Sequence, residues 1–223
     1  MNSITKNTKT RAQIEAMAAR AFAGTPLAAG ADAVSEVSDG WFNAAYRIRL
    51  ADGRDVMLKI APPNHVEVMA YEQNIMATEV ETIRLVRSNP AIPAPAIYAF
   101  DATRELCDAP YFFMERIDGV SYELVRAGLP PATQAALEGQ IGALLREIHG
   151  LAGPYFGYPG NPDLRATHWK DAFIKIVDAV LEDAARKAVV YDYDYAAIRA
   201  AVRRHSSALE EVAAPRLLHW DSC

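Results

Sequence analysis

The sequence predicts an α+β chain: an antiparallel five-stranded sheet lobe with one main helix, followed by a helical lobe. Three observations predict it. Segments of alternating polarity around Val34, Tyr46 and Val56 are separated by the turn signals Asp39-Gly40 and Asp52-Gly53. One helical segment then separates these from two further apolar runs. Beyond Asp118-Gly119 the alternation gives way to helical periodicity.

Taken in order, Thr10 to Ala23 is expected to be a helix, because Ile14, Met17, Ala18 and Phe22 recur at helical spacing until Gly24-Thr25-Pro26 stops it. Strands are expected at Ala31 to Ser38, Asn43 to Leu50 and Arg54 to Ala61, where Tyr46, Ile48 and Leu50 alternate with polar residues. After Pro62-Pro63 a long helix is expected from about His65 to Arg87, with Ile75, Met76, Val80, Ile83 and Val86 on its apolar face. Pro90, Pro93 and Pro95 forbid further helix. Ala96 to Phe100 and Tyr111 to Ile117 complete the sheet. The second lobe is expected to hold helices at Pro131 to His149, with Leu137, Ile141, Leu144, Leu145 and Ile148 on one face, at His168 to Ala188, and at Tyr195 to Val212. Leu217-Leu218 reads as a short strand leading into His219-Trp220-Asp221. The division expected is a first lobe over residues 1–115, with the N-terminal helix included, and a partial helical lobe over 116–223.

Composition narrows the function. The 223 residues are 51% hydrophobic and 23% charged, as in an ordinary globular protein able to bury a core without staples. The net charge is −5, and no stretch concentrates Lys and Arg, which argues against a nucleic-acid partner. Cys107 and Cys223 make neither a metal spacing nor a disulfide framework, so no metal site is expected from them. Met1 to Thr10 lacks the apolar core of a signal peptide, and no apolar run approaches the roughly 20 residues of a membrane span. A cytoplasmic chain without a membrane partner is the expectation. Oligomeric state is not legible.

Phosphoryl transfer from a nucleotide needs a loop over the phosphates, a cation on them, an acid to fix that cation, and a base beside the attacking hydroxyl. Lys59 lies late in the third strand, inside Val56-Met57-Leu58-Lys59-Ile60-Ala61. It points either to solvent or into a cleft, and an ammonium desolvated without a partner is costly. The following helix offers Glu79 or Glu81, which lie on different helix faces, so only one can meet it. Glu79 borders the stripe Val80, Ile83, Val86; either glutamate could instead be a solvated surface charge. Ser38, Gly40 and Asn43 lie in the connection between the first two strands, where backbone N–H groups could meet phosphate oxygens. With a single Gly it is also an ordinary hairpin turn. Asp221, at the end of a short strand, is placed as a general base, and His219 as a brace for its loop. His149 ends a helix, where the dipole favours a structural role. Tyr191-Asp192-Tyr193-Asp194-Tyr195 reads as a turn and helix start, or as acid-aromatic recognition of an amine.

In this order, Ser38 to Asn43, Val56 to Lys59, Thr78 to Glu81, Ile92 to Pro95, Tyr111 to Gly119, Leu144 to His149 and His219 to Asp221 together resemble the aminoglycoside phosphotransferase family. That family is a branch of the protein-kinase-like fold that includes choline and homoserine kinases, and the resemblance covers essentially the whole chain. It implies ATP (or GTP) as nucleotide, with Mg²⁺ in a full-length enzyme, and a small-molecule hydroxyl acceptor, aminoglycoside-like or another amine or alcohol metabolite. Lys59 would contact the α- and β-phosphates and Glu79 would hold it. Met114, Glu115, Arg116 and Ile117 would form the hinge whose backbone grips the adenine. Asp221 would orient the acceptor hydroxyl and take its proton.

The family pattern continues to an Asn five residues after the aspartate and then to a second Asp, both metal ligands; neither is among these 223 residues. The expectation is therefore of a chain cut within its catalytic loop, without useful kinase activity as given and with helix faces left exposed. Two rivals stand beside the kinase reading: a non-catalytic nucleotide-binding or regulatory remnant, and an unrelated α+β module in which Lys59 and Glu79 are surface charges far apart.

Overall fold

The computed structural model describes residues 4–37, 40 and 42–219. They form two compact units. One comprises Met1–Glu67 and Glu79–Leu129, the other Val68–Thr78 and Pro130–Cys223.

The first unit is built on the sheet. Helix α1 (Arg11–Ala21) starts where Thr10 and Gln13 form a capping box, and it presents Ile14, Met17 and Ala18 as a fully buried stripe. Strands β1 (Val34–Val37), β2 (Ala44–Arg49), β3 (Asp55–Ile60), β4 (Ile97–Asp101) and β5 (Tyr111–Glu115) form one antiparallel sheet in the order β1-β2-β3-β5-β4. The alternation seen in the sequence decides which side is core. Val56, Leu58 and Ile60 are fully buried and pair with Ile48, Tyr46 and Ala44, so these side chains share a face. Phe113 opposite Leu58 packs edge-on against Phe22, which follows α1, with ring centroids 5.1 Å apart. The polar N-terminal stretch also belongs to this unit: buried Asn7 donates to the Ala61 carbonyl at 3.2 Å and to Asp108 Oδ1 at 3.0 Å.

The long helix expected from His65 is shorter than its sequence suggests. Helix α2 spans Ile75–Arg87, preceded by a 3₁₀ turn at Ala70–Glu72 and by Asn74 in the left-handed region at φ 53°. Residues 66–74 take this path because their backbone groups are captured by side chains: Glu72 Oε2 accepts from the Met69 N–H at 2.8 Å, and Ala70 is held at both its N–H and its carbonyl. Of the expected apolar face, Met76, Val80 and Val86 are buried and Ile83 is half-buried, whereas Ile75 is exposed.

Helix α3 (Tyr122–Val125) is a single turn after the sheet. In the second unit, α4 (Pro131–Gly150), α5 (Trp169–Arg186) and α6 (Tyr195–His205) fall where helices are expected, although α6 gives way to a 3₁₀ stretch at Ser206–Glu211. A small hairpin of β6 (Phe156–Gly157) and β7 (Arg165–Ala166) lies between α4 and α5. Leu217-Leu218 is not a strand: the pairing there is one bridge, Ala152 to Arg216, with Leu217 N–H donating to the Leu151 carbonyl at 2.9 Å. The face of α4 formed by Leu137, Leu144, Leu145 and Ile148 is half-buried, Ile141 is exposed, and no residue of this helix is fully buried. Among the described residues no helix is long and apolar enough to cross a membrane.

Candidate functional site

Because strand faces alternate, Lys59 stands on the face opposite the Val56, Leu58, Ile60 core, together with Ala45 and Phe112, its partners in register. Helix α2 brings Glu79 to this face, and Lys59 Nζ donates to Glu79 Oε1 at 2.5 Å. The structure thus brings together a strand cation and a helix acid 20 residues apart in sequence. Glu81, the other candidate, is exposed. The Lys59 and Glu79 side chains keep 25% and 29% of their surface, so the pair is neither dry nor freely hydrated. The fully buried Phe112 ring lies beneath the ammonium, its centroid 5.9 Å from Nζ. An ammonium half-desolvated with one carboxylate and one ring face keeps donors for a further anion.

Further along the same face lie Met57 and Asp55, with Arg47 and Met114 as the partners of Met57. Asp55 accepts from Arg47 Nε at 3.0 Å and lies 3.5 Å from Arg116 Nη1, which also pairs with Asp118. The Arg47 guanidinium, by its hydrogen bonds, holds the Asp55 carboxyl below the usual carboxylate range. The hinge candidates therefore divide by what engages them. Arg116 is held by two acids. Glu115 donates its N–H to the Ala96 carbonyl at 2.8 Å, and its carboxylate accepts from Ala96 N–H at 3.0 Å. Met114 is half-buried and Ile117 is exposed, one at the end of β5 and the other beyond it.

In the connection before β2, Gly40 is exposed. Asn43 is half-buried, and its Oδ1 is a buried acceptor without a hydrogen-bond partner among the described residues. Ser38 lies outside the described residues, as does Asp221. His219 is exposed in the irregular stretch after Leu217. His149 occupies the last turn of α4, and Tyr191 to Asp194 form the turn that starts α6, with Tyr193 75% exposed. Among the described residues no group of three or more His, Cys, Asp or Glu side chains is gathered to hold a metal ion.

The second unit contains two polar residues that the sequence reading passed over. Asn161 and Asp183 are almost fully buried, and between them they hold the backbone of Ala70. Asn161 carries a turn signal, since it precedes Pro162; Asp183 carries none, because an acid on an amphipathic helix reads as surface.

Comparisons with known proteins place the chain in a family and its fold in a class. A sequence profile of the phosphotransferase enzyme family (APH) matches residues 33–223. Two curated proteins of Aspergillus fumigatus, both described as subtelomeric hrmA-associated cluster proteins, are 26% identical over 125 residues, which is 56% of this chain and 24% of each relative. The chain thus spans about a quarter of the length of the curated relatives it matches. Among solved structures, a proposed fructosamine-3-kinase from Thermobifida fusca matches with a TM-score of 0.61 at 20% identity, over 93% of this chain and 67% of its own. A thermostable mutant of aminoglycoside phosphotransferase APH(4)-Ia, in ternary complex with ADP and hygromycin B, matches with a TM-score of 0.54 at 16% identity, over 89% of this chain and 60% of its own. At such identities the likeness is one of fold, and the fold is protein-kinase-like.

Proposed function

Since the chain belongs to the phosphotransferase enzyme family, we propose that it serves the transfer of the γ-phosphoryl group of ATP, or of GTP, to a hydroxyl of a small molecule, an aminoglycoside-like compound or another amine or alcohol metabolite. In this reading residues 1–115 are the nucleotide-binding lobe and residues 116–223 part of the acceptor lobe, and the reaction belongs to the cytoplasm, where the nucleotide is supplied. The observation that carries the reading is the Lys59–Glu79 contact at 2.5 Å on the non-core face of the sheet. Glu79 fixes the ammonium, which then places its remaining donors on the α- and β-phosphates. The hinge from Met114 to Ile117 holds the base through backbone groups other than the Glu115 N–H, which Ala96 already occupies. Ser38, Gly40 and Asn43 cover the phosphates through backbone N–H groups of their loop.

The acceptor oxygen attacks the γ-phosphorus as the bond to the bridging oxygen breaks; the hydroxyl proton passes to the Asp221 carboxylate, braced by His219, and ADP leaves. The described residues do not gather a site fit for Mg²⁺, so no step here runs through the metal. Neither metal ligand of the family pattern is among the 223 residues.

The test is binding of AMP-PNP, with and without Mg²⁺, to the chain and to its Lys59→Ala variant. Loss of a charge-assisted contact to phosphate is expected to weaken binding by about tenfold or more, that is by about 1.4 kcal/mol or more. Equal binding by the two proteins would remove the basis of the assignment.

A further inference from the structure

The antiparallel register of β3 and β5 ends at Val56 opposite Glu115. One further step sets Asp55 opposite Arg116, on the face that carries Lys59, Phe112, Met57 and Met114. At that rung the backbones part. Glu115 N–H still donates to the Ala96 carbonyl, but among the described residues Arg116 and Ile117 make no backbone–backbone hydrogen bond. Side chains take over instead. Arg116 Nη1 lies 3.5 Å from Asp55 Oδ2 and also pairs with Asp118. Asp55 is itself fixed from β2: Arg47 Nε lies 3.0 Å from both carboxylate oxygens, and Arg47 Nη2 lies 2.5 Å from Oδ2. Hydrogen bonds from Arg47 hold the Asp55 carboxyl below its ordinary range, so it is ionised at neutral pH. The Asp55 and Arg116 side chains each keep 26% of their surface, so water screens this contact less than an open surface pair.

We infer that Asp55 and Arg116 form a clasp that holds the backbone of Arg116 and Ile117 beside β3, and that they are thereby positioning residues for the base of the nucleotide. The inference rests on the phosphotransfer reading above, in which this backbone grips the base. Groups that have left the ladder are free to meet a ligand, but the ladder no longer holds them in place. Arg116 is the first residue past the last rung, and its guanidinium is the tie to β3 that the structure shows there. An ion pair of this exposure adds little to the stability of the whole unit. Its effect is local, on a segment without a ladder of its own. Lys59 lies four positions along β3 from Asp55, about 13 Å at about 3.3 Å per residue. The clasp therefore acts at the base end of the face and leaves the phosphate end alone, which gives a readout that general destabilisation does not.

The test compares two ligands of the 223-residue chain: AMP-PNP, by calorimetric titration, and inorganic tripolyphosphate, by displacement of AMP-PNP. The variants are Lys59→Ala, Asp55→Asn, Arg116→Gln, the double variant of the last two, and Arg116→Lys, each checked for retained structure by circular dichroism. Asp55→Asn and Arg116→Gln are each expected to weaken AMP-PNP about 3- to 10-fold, and the double variant no more than the weaker-binding single one, the non-additivity of groups that act through one another. Tripolyphosphate should change by less than about 1.5-fold in all three. Arg116→Lys, which keeps a cation beside Asp55, should recover part of the loss. A merely structural role would lower the melting temperature and leave affinity alone, or weaken both ligands equally; either result, or additive losses in the double variant, overturns the inference. Should Asp55→Asn fail to fold, Arg116→Gln, which leaves the Arg47–Asp55 pair intact, is judged by the same ligand comparison. If Lys59→Ala weakens both ligands and the clasp variants weaken neither, the clasp is wrong and the phosphotransfer reading stands. If Lys59→Ala binds AMP-PNP as the parent does, or tripolyphosphate fails to displace AMP-PNP from the parent, the phosphotransfer reading itself has failed.

Discussion

Acid should loosen the sheet unit through Asp101, by an amount that follows from its surroundings. Its carboxylate, 12% exposed, ends β4 and accepts from Thr103 N–H at 2.8 Å, Thr103 Oγ1 at 2.7 Å, Arg20 Nη1 at 3.0 Å and the Tyr111 hydroxyl at 2.9 Å. Burial alone would push its pKa up; the donors from Thr103, Arg20 and Tyr111 outweigh burial and hold it down at about 2, against an ordinary 3.8. That difference corresponds to about 2.4 kcal/mol of stability. The folded pKa is depressed, so the stabilisation is complete above the unfolded value and disappears as pH falls through the folded one. About 1 kcal/mol should be gone by about pH 3 and about 2 kcal/mol by about pH 2. The informative perturbation is Asp101→Asn, which keeps the shape and removes the charge. Urea unfolding followed by circular dichroism should show the variant about 2 kcal/mol less stable at neutral pH, with the gap falling to about half by about pH 3. A gap that stays constant from about pH 5 to about pH 3 would refute the reasoning, because packing rather than ionisation would then account for the loss.

Two further outcomes test the scaffold. Gly157 has φ 112°, and a Cβ there would lie 2.0 Å from the Leu164 carbonyl oxygen, so Gly157→Ala must move the β6–β7 hairpin; a loss of about 2–4 kcal/mol is expected in urea unfolding of the second unit, and a loss below about 1 kcal/mol would show that the hairpin yields. Asn7→Ala removes the side-chain donor from the Ala61 carbonyl, whereas Asp108 keeps the Lys9 ammonium at 2.7 Å; a cost of about 1–3 kcal/mol is expected, read as faster hydrogen exchange at the end of β3.

What the sequence made legible is what depends on period. Alternation through Tyr46 and Ile48, and through Val56, Leu58 and Ile60, names the buried face of the sheet and, by exclusion, puts Lys59 on the other. The edge of the Val80, Val86 stripe likewise puts Glu79 within reach, although the same local signal left Glu81 open. The start of α2 was not legible, because residues 65–74 carry no Pro or Gly and their helical path is overridden by hydrogen bonds from Asn161 and Asp183, far along the chain. Asn7 was passed over for the same reason: a polar residue in a polar N-terminal stretch gives no sign that the end of β3 will bury it. Ser38 and Asp221, two expected site residues, lie outside what the structure describes.

The site follows from an economy of the strand. One face of β3 supplies three fully buried aliphatic side chains to the core, and the intervening positions are free to carry Asp55, Met57 and Lys59 on the other face. A lysine is tolerable there only with a partner, and the partner comes from the helix that follows. That dependence has a consequence. A pair with a quarter of its surface in water contributes modestly to stability, of order 1 kcal/mol, since screening and side-chain entropy offset most of the attraction. The geometry of α2 therefore cannot rest on the Lys59–Glu79 contact. It is imposed by burial: Val80 and Val86, on the stripe that Glu79 borders, are taken out of water, and an apolar face that must be buried sets the rotation of its helix.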